Sequence, residues 1–322
     1  MDETAVSGYS IRLRRLLEQA TLAAEADGIL LSGGLDTSAV SYAATRHSSI
    51  RAMTVEFSLG SPSDPPYARK AARFLNMEHF ILRFGPEEYA EASHRVIEAL
   101  RTFDPVEVRN SASIYLALEL AKDHGVRRVL TGDAFDELYA GYSFFEDMVD
   151  YGDLQKALEA TWAHMEFTSV NLGRHIGVEV KIPAQEPEFM SFSKEVPAEL
   201  KVRVVGGRRR GKWIVRHSYA GLLPDELLWR VKAPIESGSG TVYAETLAEL
   251  TISDDEFASE KYRLAHAGLK LRNKEQLVCY RYYSSKFGDG PAYERLEKKC
   301  KECGSGIEEG KRHCRVCGAY PA

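Results

Sequence analysis

Residues Ser32-Gly33-Gly34-Leu35-Asp36-Thr37-Ser38 bring two glycines, three hydroxyls and a carboxylate together in one short stretch. Gly33 and Gly34 permit a tight turn and let an anion's oxygens approach the backbone. Ser32, Thr37 and Ser38 add hydroxyl donors. Asp36 repels bare phosphate, so its place in the loop argues for a magnesium ion between its carboxylate and the phosphates. The Gly-Lys-Ser/Thr ending of a Walker loop is missing.

A second acidic stretch lies about 100 residues on: Leu130-Thr131-Gly132-Asp133-Ala134-Phe135-Asp136-Glu137-Leu138-Tyr139-Ala140-Gly141-Tyr142. Alone it reads as a solvated turn. The third pattern is Cys300-x-x-Cys303 followed by Cys314-x-x-Cys317, with Gly304 and Gly318 closing the two knuckles. Four thiolates so spaced suit one tetrahedral zinc ion, and Lys299, Lys301, Lys311, Arg312 and Arg315 offset their charge. His313 is not needed as a ligand. Such a ribbon serves as a stabilising or docking module, or as a contact for nucleic acid or protein. The fifth cysteine, Cys279, reads as a small core residue.

These residues need a scaffold. Residues 28–31 form a short apolar run before the first glycine turn, and 37–45 carry a helical pattern. That order leaves backbone N–H groups free at the positive end of a helix, an anion site. Strands are expected at 50–57, 78–82 and 126–131, and helices at 65–76, 86–100 and 111–124. The alternation predicts an α/β fold, a parallel sheet with helices on both faces. Ligands of such sheets bind at the carboxyl ends of strands, so both acidic loops could meet over one magnesium-nucleotide. Beyond Tyr142 the chain turns mainly helical, with helices expected at 154–167, 211–222 and 247–266. Residues 190–210 show no clear period and run into Gly206-Gly207-Arg208-Arg209-Arg210-Gly211, read as a mobile basic loop. Residues 287–292 read as a linker. The expected organisation is 1–147 as the nucleotide-binding part, 148–290 as the helical part and 291–322 as the zinc ribbon.

The chain has 322 residues, 44% hydrophobic and 28% charged, with a net charge of -5. That is ordinary for a globular protein and excludes a global basic field for nucleic acid. No apolar run reaches membrane-spanning length, and residues 1–18 lack a signal peptide's apolar stretch, so a cytoplasmic protein is expected.

The first loop matches the Ser-Gly-Gly-x-Asp-Ser/Thr-Ser pattern of the PP-loop ATP pyrophosphatases, which cleave ATP between the α and β phosphates. With the second motif, the chain resembles the synthetase domain of asparagine synthetases, whose patterns are Ser-Gly-Gly-Leu-Asp-Ser-Ser and Ser-Gly-Glu-Gly-x-Asp-Glu-x-Phe-Gly-Gly-Tyr. Arg109 matches a family arginine. Residues 171–183 resemble a degraded Glu-x-Arg-x-Pro-Phe segment. Lys212 with Arg216 matches Lys-x-x-x-Arg on a helix, 224–232 resembles the stretch carrying a conserved lysine, and 274–287 resembles the C-terminal helix. The likeness runs from about residue 8 to 288.

The resemblance implies a PP-loop fold and an ATP-dependent, AMP-forming amide ligase. A substrate carboxylate attacks the α phosphorus, pyrophosphate leaves, and ammonia or an amine displaces AMP. It implies Asp36 and Asp136 as magnesium ligands and Lys232 as the cation at the transition state, with Lys212 and Arg216 assisting and Arg109 in the site. Leu30, Leu35 and Gly132 join Ser32 to Ser38 around the nucleotide, and Val55 is expected against the adenine. Asp133 replaces a family glutamate held to act near the intermediate; one methylene less moves such a group by about 1 Å.

The sequence also departs from the family. The glutaminase half needs a cysteine at its mature N-terminus, whereas this chain begins Met1-Asp2-Glu3. The amine is therefore expected to be free ammonia, ammonia from a separate glutaminase, or a larger amine. Val106-Glu107 replaces a Thr-Thr pair, and Pro183-Ala184-Gln185-Glu186 replaces Pro-Phe-Leu-Asp. Adenylation is therefore read more firmly than asparagine as product, and the acceptor carboxylate, on a small molecule or a peptide, stays open, as does the oligomeric state. Two other readings compete. A tRNA-modifying PP-loop enzyme that adenylates a base is disfavoured by the net charge and the lack of spare reactive cysteines. A non-catalytic nucleotide sensor is disfavoured by the retention of both acidic loops and Lys232.

Overall fold

The structure, a computed structural model, describes residues 3–290, 292 and 295–322. The expected start of the ribbon segment at 291 and part of the expected linker lie outside the described residues. The fold is built on a five-stranded parallel sheet: β1 (Gly28–Leu30), β2 (Arg51–Phe57), β3 (His79–Phe84), β4 (Arg128–Leu130) and β5 (Glu179–Lys181), in the order β3-β2-β1-β4-β5. β1 sets Gly28 opposite Arg51 on β2 and opposite Val129 on β4. Ile29, Val129 and Leu130 are fully buried, as expected of strands covered on both faces. The chain proceeds outward from β1 to β2 and β3, then returns to the other side of β1 for β4. β1 and β4 thus flank the point where the strand order reverses, the place where sheets of this kind bind ligands at the carboxyl ends of their strands.

The described residues fall into two compact units. The first comprises Met1–Thr54, Asp64–Ile81 and Ala117–Lys232. Its core is aliphatic and aromatic, with Leu13, Leu17, Ile29, Val40, Phe135, Tyr139, Phe189 and Ile214 all sealed from solvent. Helix α1 (Glu3–Ala24) buries Val6, Leu13, Leu17, Ala20 and Ala24 at helical spacing and packs on α2 (Leu35–Thr45). The second unit comprises Val55–Ser63, Leu82–Leu116 and Ala233–Ala322. Its core is a ring cluster: Phe57 stacks on Phe84 at 5.2 Å, and Phe103 meets Tyr280 and Tyr283 edge-on at 5.2 and 5.1 Å. Among the described residues no helix is long and apolar enough to cross a membrane.

Several local expectations change. The basic stretch ending at Arg210 is not a mobile loop. Arg203–Val205 (β6) and Arg208–Arg210 (β7) form an antiparallel hairpin, with Gly206 and Gly207 both at positive φ in the turn. Arg209 is tied down, its Nε donating to the Glu146 carbonyl at 3.0 Å and its Nη2 to that of Met148 at 2.6 Å. The helix expected at 247–266 breaks into Tyr243–Thr251 and Asp254–His266, because the Ser253 hydroxyl accepts from Glu256 N at 3.2 Å and caps a new helix. The helix expected at 211–222 shrinks to Trp213–Ser218, leaving Lys212 outside it. β5 was not foreseen. Three residues with polar side chains at both ends carry no strand signal, and β5 sits at the sheet edge with β4 alone as neighbour.

Candidate active site

The loop after β1 is held by its own hydroxyls. Ser32 Oγ accepts from Gly34 N at 3.2 Å and lies 3.1 Å from Thr37 Oγ1, which donates to the Gly34 carbonyl at 3.4 Å. Gly33 has φ +68°, and a Cβ there would fall 2.2 Å from the Tyr67 backbone carbon, so only glycine fits. Leu35 opens α2 and buries its side chain, and Leu30 ends β1. Ser38 Oγ is buried and has no hydrogen-bond partner. An unpaired donor at a helix N-terminus suits an anion oxygen.

The loop after β4 lies against it. A Cβ on Gly132 would sit 3.0 Å from Asp36 Cβ and 3.1 Å from Thr37 N, so Gly132 lets the two loops touch. Lys212, fully buried, contacts the Asp36 carboxylate and lies 2.7 Å from Asp136 Oδ1. Lys232, 40% exposed, reaches the same Asp136 oxygen at 2.8 Å and lies over the Tyr142 ring. Two carboxylates, from the helix starts that follow β1 and β4, and two lysines from the later chain thus converge. Burial lifts the Asp36 carboxyl above its ordinary range, with Lys212 opposing. At Asp136 burial pulls the same way, but Lys212 and Lys232 together outweigh it and hold the carboxyl below its usual range. Lys212 is itself held above the usual lysine range, since Asp136 and Asp36 outweigh its burial. Asp36 Oδ1 is buried with no hydrogen-bond partner, and a hard, oxygen-seeking cation such as magnesium fits that donor set.

Backbone geometry delivers these groups. β7 leads through Gly211 to Lys212, which adopts φ +54° just before the helix Trp213–Ser218. Lys212 N donates to the Tyr139 carbonyl at 2.9 Å, tying the lysine to the second loop. Gly141 leaves the space the lysine needs: a Cβ there would fall 2.0 Å from Asp136 Oδ1 and 2.1 Å from Lys212 Cε. Arg216, from the same turn, faces away from solvent, and burial lowers its pKa against the pull of Asp36 and Glu146. It is buried and donates to the carbonyls of Gly211 (3.1 Å) and Leu228. Asp133 Oδ2 accepts from Thr131 Oγ1 at 2.9 Å and from Ser169 Oγ at 2.6 Å, and burial raises its pKa against those bonds.

Arg230 is a residue that sequence reasoning passed over. Its Nη1 donates to the Ser32 carbonyl at 2.9 Å, its Nη2 to Asp64 Oδ1 at 2.6 Å, and its guanidinium lies over the Tyr67 ring. It fastens the segment carrying Lys232 to the phosphate loop. Its position two residues before the family lysine was the available signal.

Arg109 and Val55 fall in the second unit. Val55 is buried. Arg109, on α5 (Pro105–Asp123, which follows the helices α3, Asp64–Phe74, and α4, Pro86–Leu100), is buried, with Glu245 at 3.5 Å and Glu275 at 3.4 Å. The same unit holds the four buried cysteines, whose sulfurs lie within 4.8 Å of one another. Cys300 to Cys317 and Cys303 to Cys314 are each 3.7 Å. Four sulfurs about 2.3 Å from a tetrahedral zinc stand about 3.8 Å apart, so the cluster suits that ion. Each knuckle repeats one pattern: Cys300 N and Cys314 N donate to Ser305 and Ala319, and Gly304 N and Gly318 N return to the cysteine carbonyls.

A parallel α/β sheet with a Ser-Gly-Gly-x-Asp loop and a second acidic loop at its switch point defines a nucleotide-binding fold of the PP-loop type. The family model for asparagine synthase matches residues 12–175 and 164–281, and the chain belongs to that family. The probable glutamine-hydrolysing asparagine synthetase of Schizosaccharomyces pombe is 31% identical over 273 residues, 72% of this chain and 47% of that protein. Asparagine synthetase B of Escherichia coli is 26% identical over 268 residues, 74% and 46% respectively. The chain spans about half the length of these relatives. Among solved structures, the NMN synthetase of Francisella tularensis aligns at 14% identity over 88% of this chain and 94% of that chain, with a TM-score of 0.41.

Proposed function

We propose that this chain is an ATP-dependent, AMP-forming amide ligase that adenylates a carboxylate and passes the acyl group to ammonia or an amine. The observation that carries the reading is the meeting of Asp36 and Asp136, from the helix starts after β1 and β4, on Lys212, with Lys232 on Asp136. An acceptor carboxylate oxygen bonds to the α phosphorus as the bond to the bridging oxygen breaks, and pyrophosphate leaves. The amine nitrogen then bonds to the acyl carbon, AMP departs and the amine gives up a proton. The N–H groups at the start of α2 with Ser32, Thr37 and Ser38 bind the phosphates. Lys212 and Lys232 carry positive charge to the leaving pyrophosphate, where preorganised charge lowers the barrier most. Asp36 and Asp136 would hold a magnesium ion, which would supply charge neutralisation at the phosphates. Asp133, kept more basic by burial, takes the amine proton, and Arg109 is assigned to the acceptor side. The four cysteines hold one zinc ion. The segment 1–290 is read as the synthetase part and the rest as the ribbon.

Pyrophosphate release from ATP and Mg²⁺ tests the reading, measured across candidate carboxylates with and without ammonia and with bulk tRNA in a separate arm. Release is expected to depend on a carboxylate. Asp36→Ala and Lys232→Ala should each lower it by about a hundredfold or more with the fold intact. Release stimulated by tRNA alone overturns the reading, and normal turnover in either variant shows the site to be elsewhere.

A further inference from the structure

The ribbon's polar backbone is engaged inward, within its own unit. Val316 O accepts from Phe103 N at 2.7 Å and from Thr102 Oγ1 at 3.2 Å. Gly318 packs so closely on Asp104 that a Cβ would fall 2.3 Å from its Cγ. His313 Nε2 stands 3.5 Å from Asp104 Oδ2. These contacts hold the start of α5, where Asp104 Oδ1 accepts from Val106 N at 3.2 Å. On its other side the ribbon holds the start of the helix Lys274–Phe287. Cys317 O accepts from Gln276 Nε2 at 2.8 Å and from Arg272, Arg272 Nη1 pairs with Glu302 Oε2 at 3.0 Å, and Lys270 N donates to Glu302 O at 2.7 Å.

The two helix starts gripped in this way carry Arg109 and Glu275. Their ion pair is buried and poorly bonded: Arg109 Nε lies 3.4 Å from Glu275 Oε1, and neither Glu275 oxygen nor that Nε makes a hydrogen bond. Burial pushes the Glu275 carboxyl up to about 7 against Arg109's pull, with the Glu245, Asp104 and Glu236 carboxylates adding to the rise. A buried pair without supporting hydrogen bonds gains little from its own attraction once burial is counted. Its position has to come from the two backbones. We infer that the four-cysteine ribbon is an internal clamp, which when loaded with zinc fastens the start of α5 to the start of the helix Lys274–Phe287 and thereby positions Arg109 and Glu275. The carbonyls of Val316 and Cys317 and the surface over Gly318, which an outward-facing knuckle would offer to a nucleic acid or protein, are used in this grip. Arg109's place in catalysis rests on the ligase reading; the clamp itself does not.

The test reads the full-length protein without ATP or acceptor, so its failure and that of the ligase reading are separable. Metal analysis should give one zinc per chain. After chelation, amide hydrogen exchange should quicken at least tenfold in residues 102–116 and 270–283 and stay unchanged in 3–24 and 35–45. The double variant Arg272→Ala/Gln276→Ala keeps all four cysteines, and should loosen the same two segments with its zinc retained. That variant decides the matter if the zinc-free chain unfolds. Unchanged exchange in the zinc-loaded double variant overturns the clamp. So does loosening spread evenly over the chain in that variant, or a chain that carries no zinc as isolated and shows no change at those segments on loading.

Discussion

Lys212 and Lys232 look alike in sequence, but their surroundings separate them. Lys212 is buried between two carboxylates, whereas Lys232 is half in solvent and touches one. Removing the buried lysine leaves Asp36 and Asp136 close together with only the half-exposed Lys232, on Asp136, to offset them. Breaking a buried pair in this way costs about 3–5 kcal/mol. Lys212→Met should therefore lose about 3 kcal/mol of unfolding free energy in metal-free buffer, and Mg²⁺ should restore part of it by occupying the space between Asp36 and Asp136. Urea denaturation with and without Mg²⁺ measures both effects. A variant no more responsive to Mg²⁺ than the parent would count against these two aspartates as cation ligands.

The second acidic loop turns back on itself twice in left-handed backbone, at Ala134 (φ +72°) and Ala140 (φ +58°). Glycine stands at both positions in the family pattern. An L-residue in that region costs about 1–2 kcal/mol, and glycine's extra unfolded-state freedom returns about 0.5–1 of it. Both methyls are buried, and losing one costs about 0.8 kcal/mol. Ala134→Gly and Ala140→Gly should therefore each leave stability within about 0.5 kcal/mol of the parent by chemical denaturation. A larger loss in either would mean that the alanine methyl packs better than its backbone suffers. The loop keeps its course through longer-range contacts: Tyr139 OH lies 2.6 Å from Ser193 Oγ, and Trp162 Nε1 donates to the Glu137 carbonyl at 2.9 Å.

At the scale of the whole molecule, Lys201 is a buried charge that the site does not use. Lys201 is fully buried, its Nζ has no hydrogen-bond partner, and it lies over the Trp162 ring. Burial lowers its pKa to about 7 from 10.5, with Glu159 opposing. Between those values the unfolded chain holds a proton that the folded chain does not. Stability from this group therefore rises with pH from about 7 to 10.5 and is lost as pH falls through that window. Lys201→Met should be more stable than the parent at pH 7, with the gap narrowing towards pH 9.5. Urea midpoints at the two pH values measure the gap, and a gap that does not change with pH would show Lys201 to be solvated.

The phosphate loop and the cysteine quartet were legible because each is a local pattern, whereas the second acidic loop alone reads as a solvated turn and gains meaning only beside the first. A glycine turn between strand and helix, or paired Cys-x-x-Cys knuckles, depends on neighbours in sequence and on little else. The first four strands were legible for the same reason, as short apolar runs. Local signals failed at β5, at the hairpin before Lys212 and at Arg230. Those residues take their conformation from partners far along the chain, as Arg230 does from Ser32, 198 positions away. The sequence by itself determined which groups are available and what chemistry they suit. Only the tertiary structure decided that Lys212, 176 positions from Asp36, is the buried cation between the two aspartates, and that the ribbon is folded back on its own unit. Burial and sheet order select among pairings that sequence spacing leaves equal, because the energy that separates them appears only when distant groups leave water together.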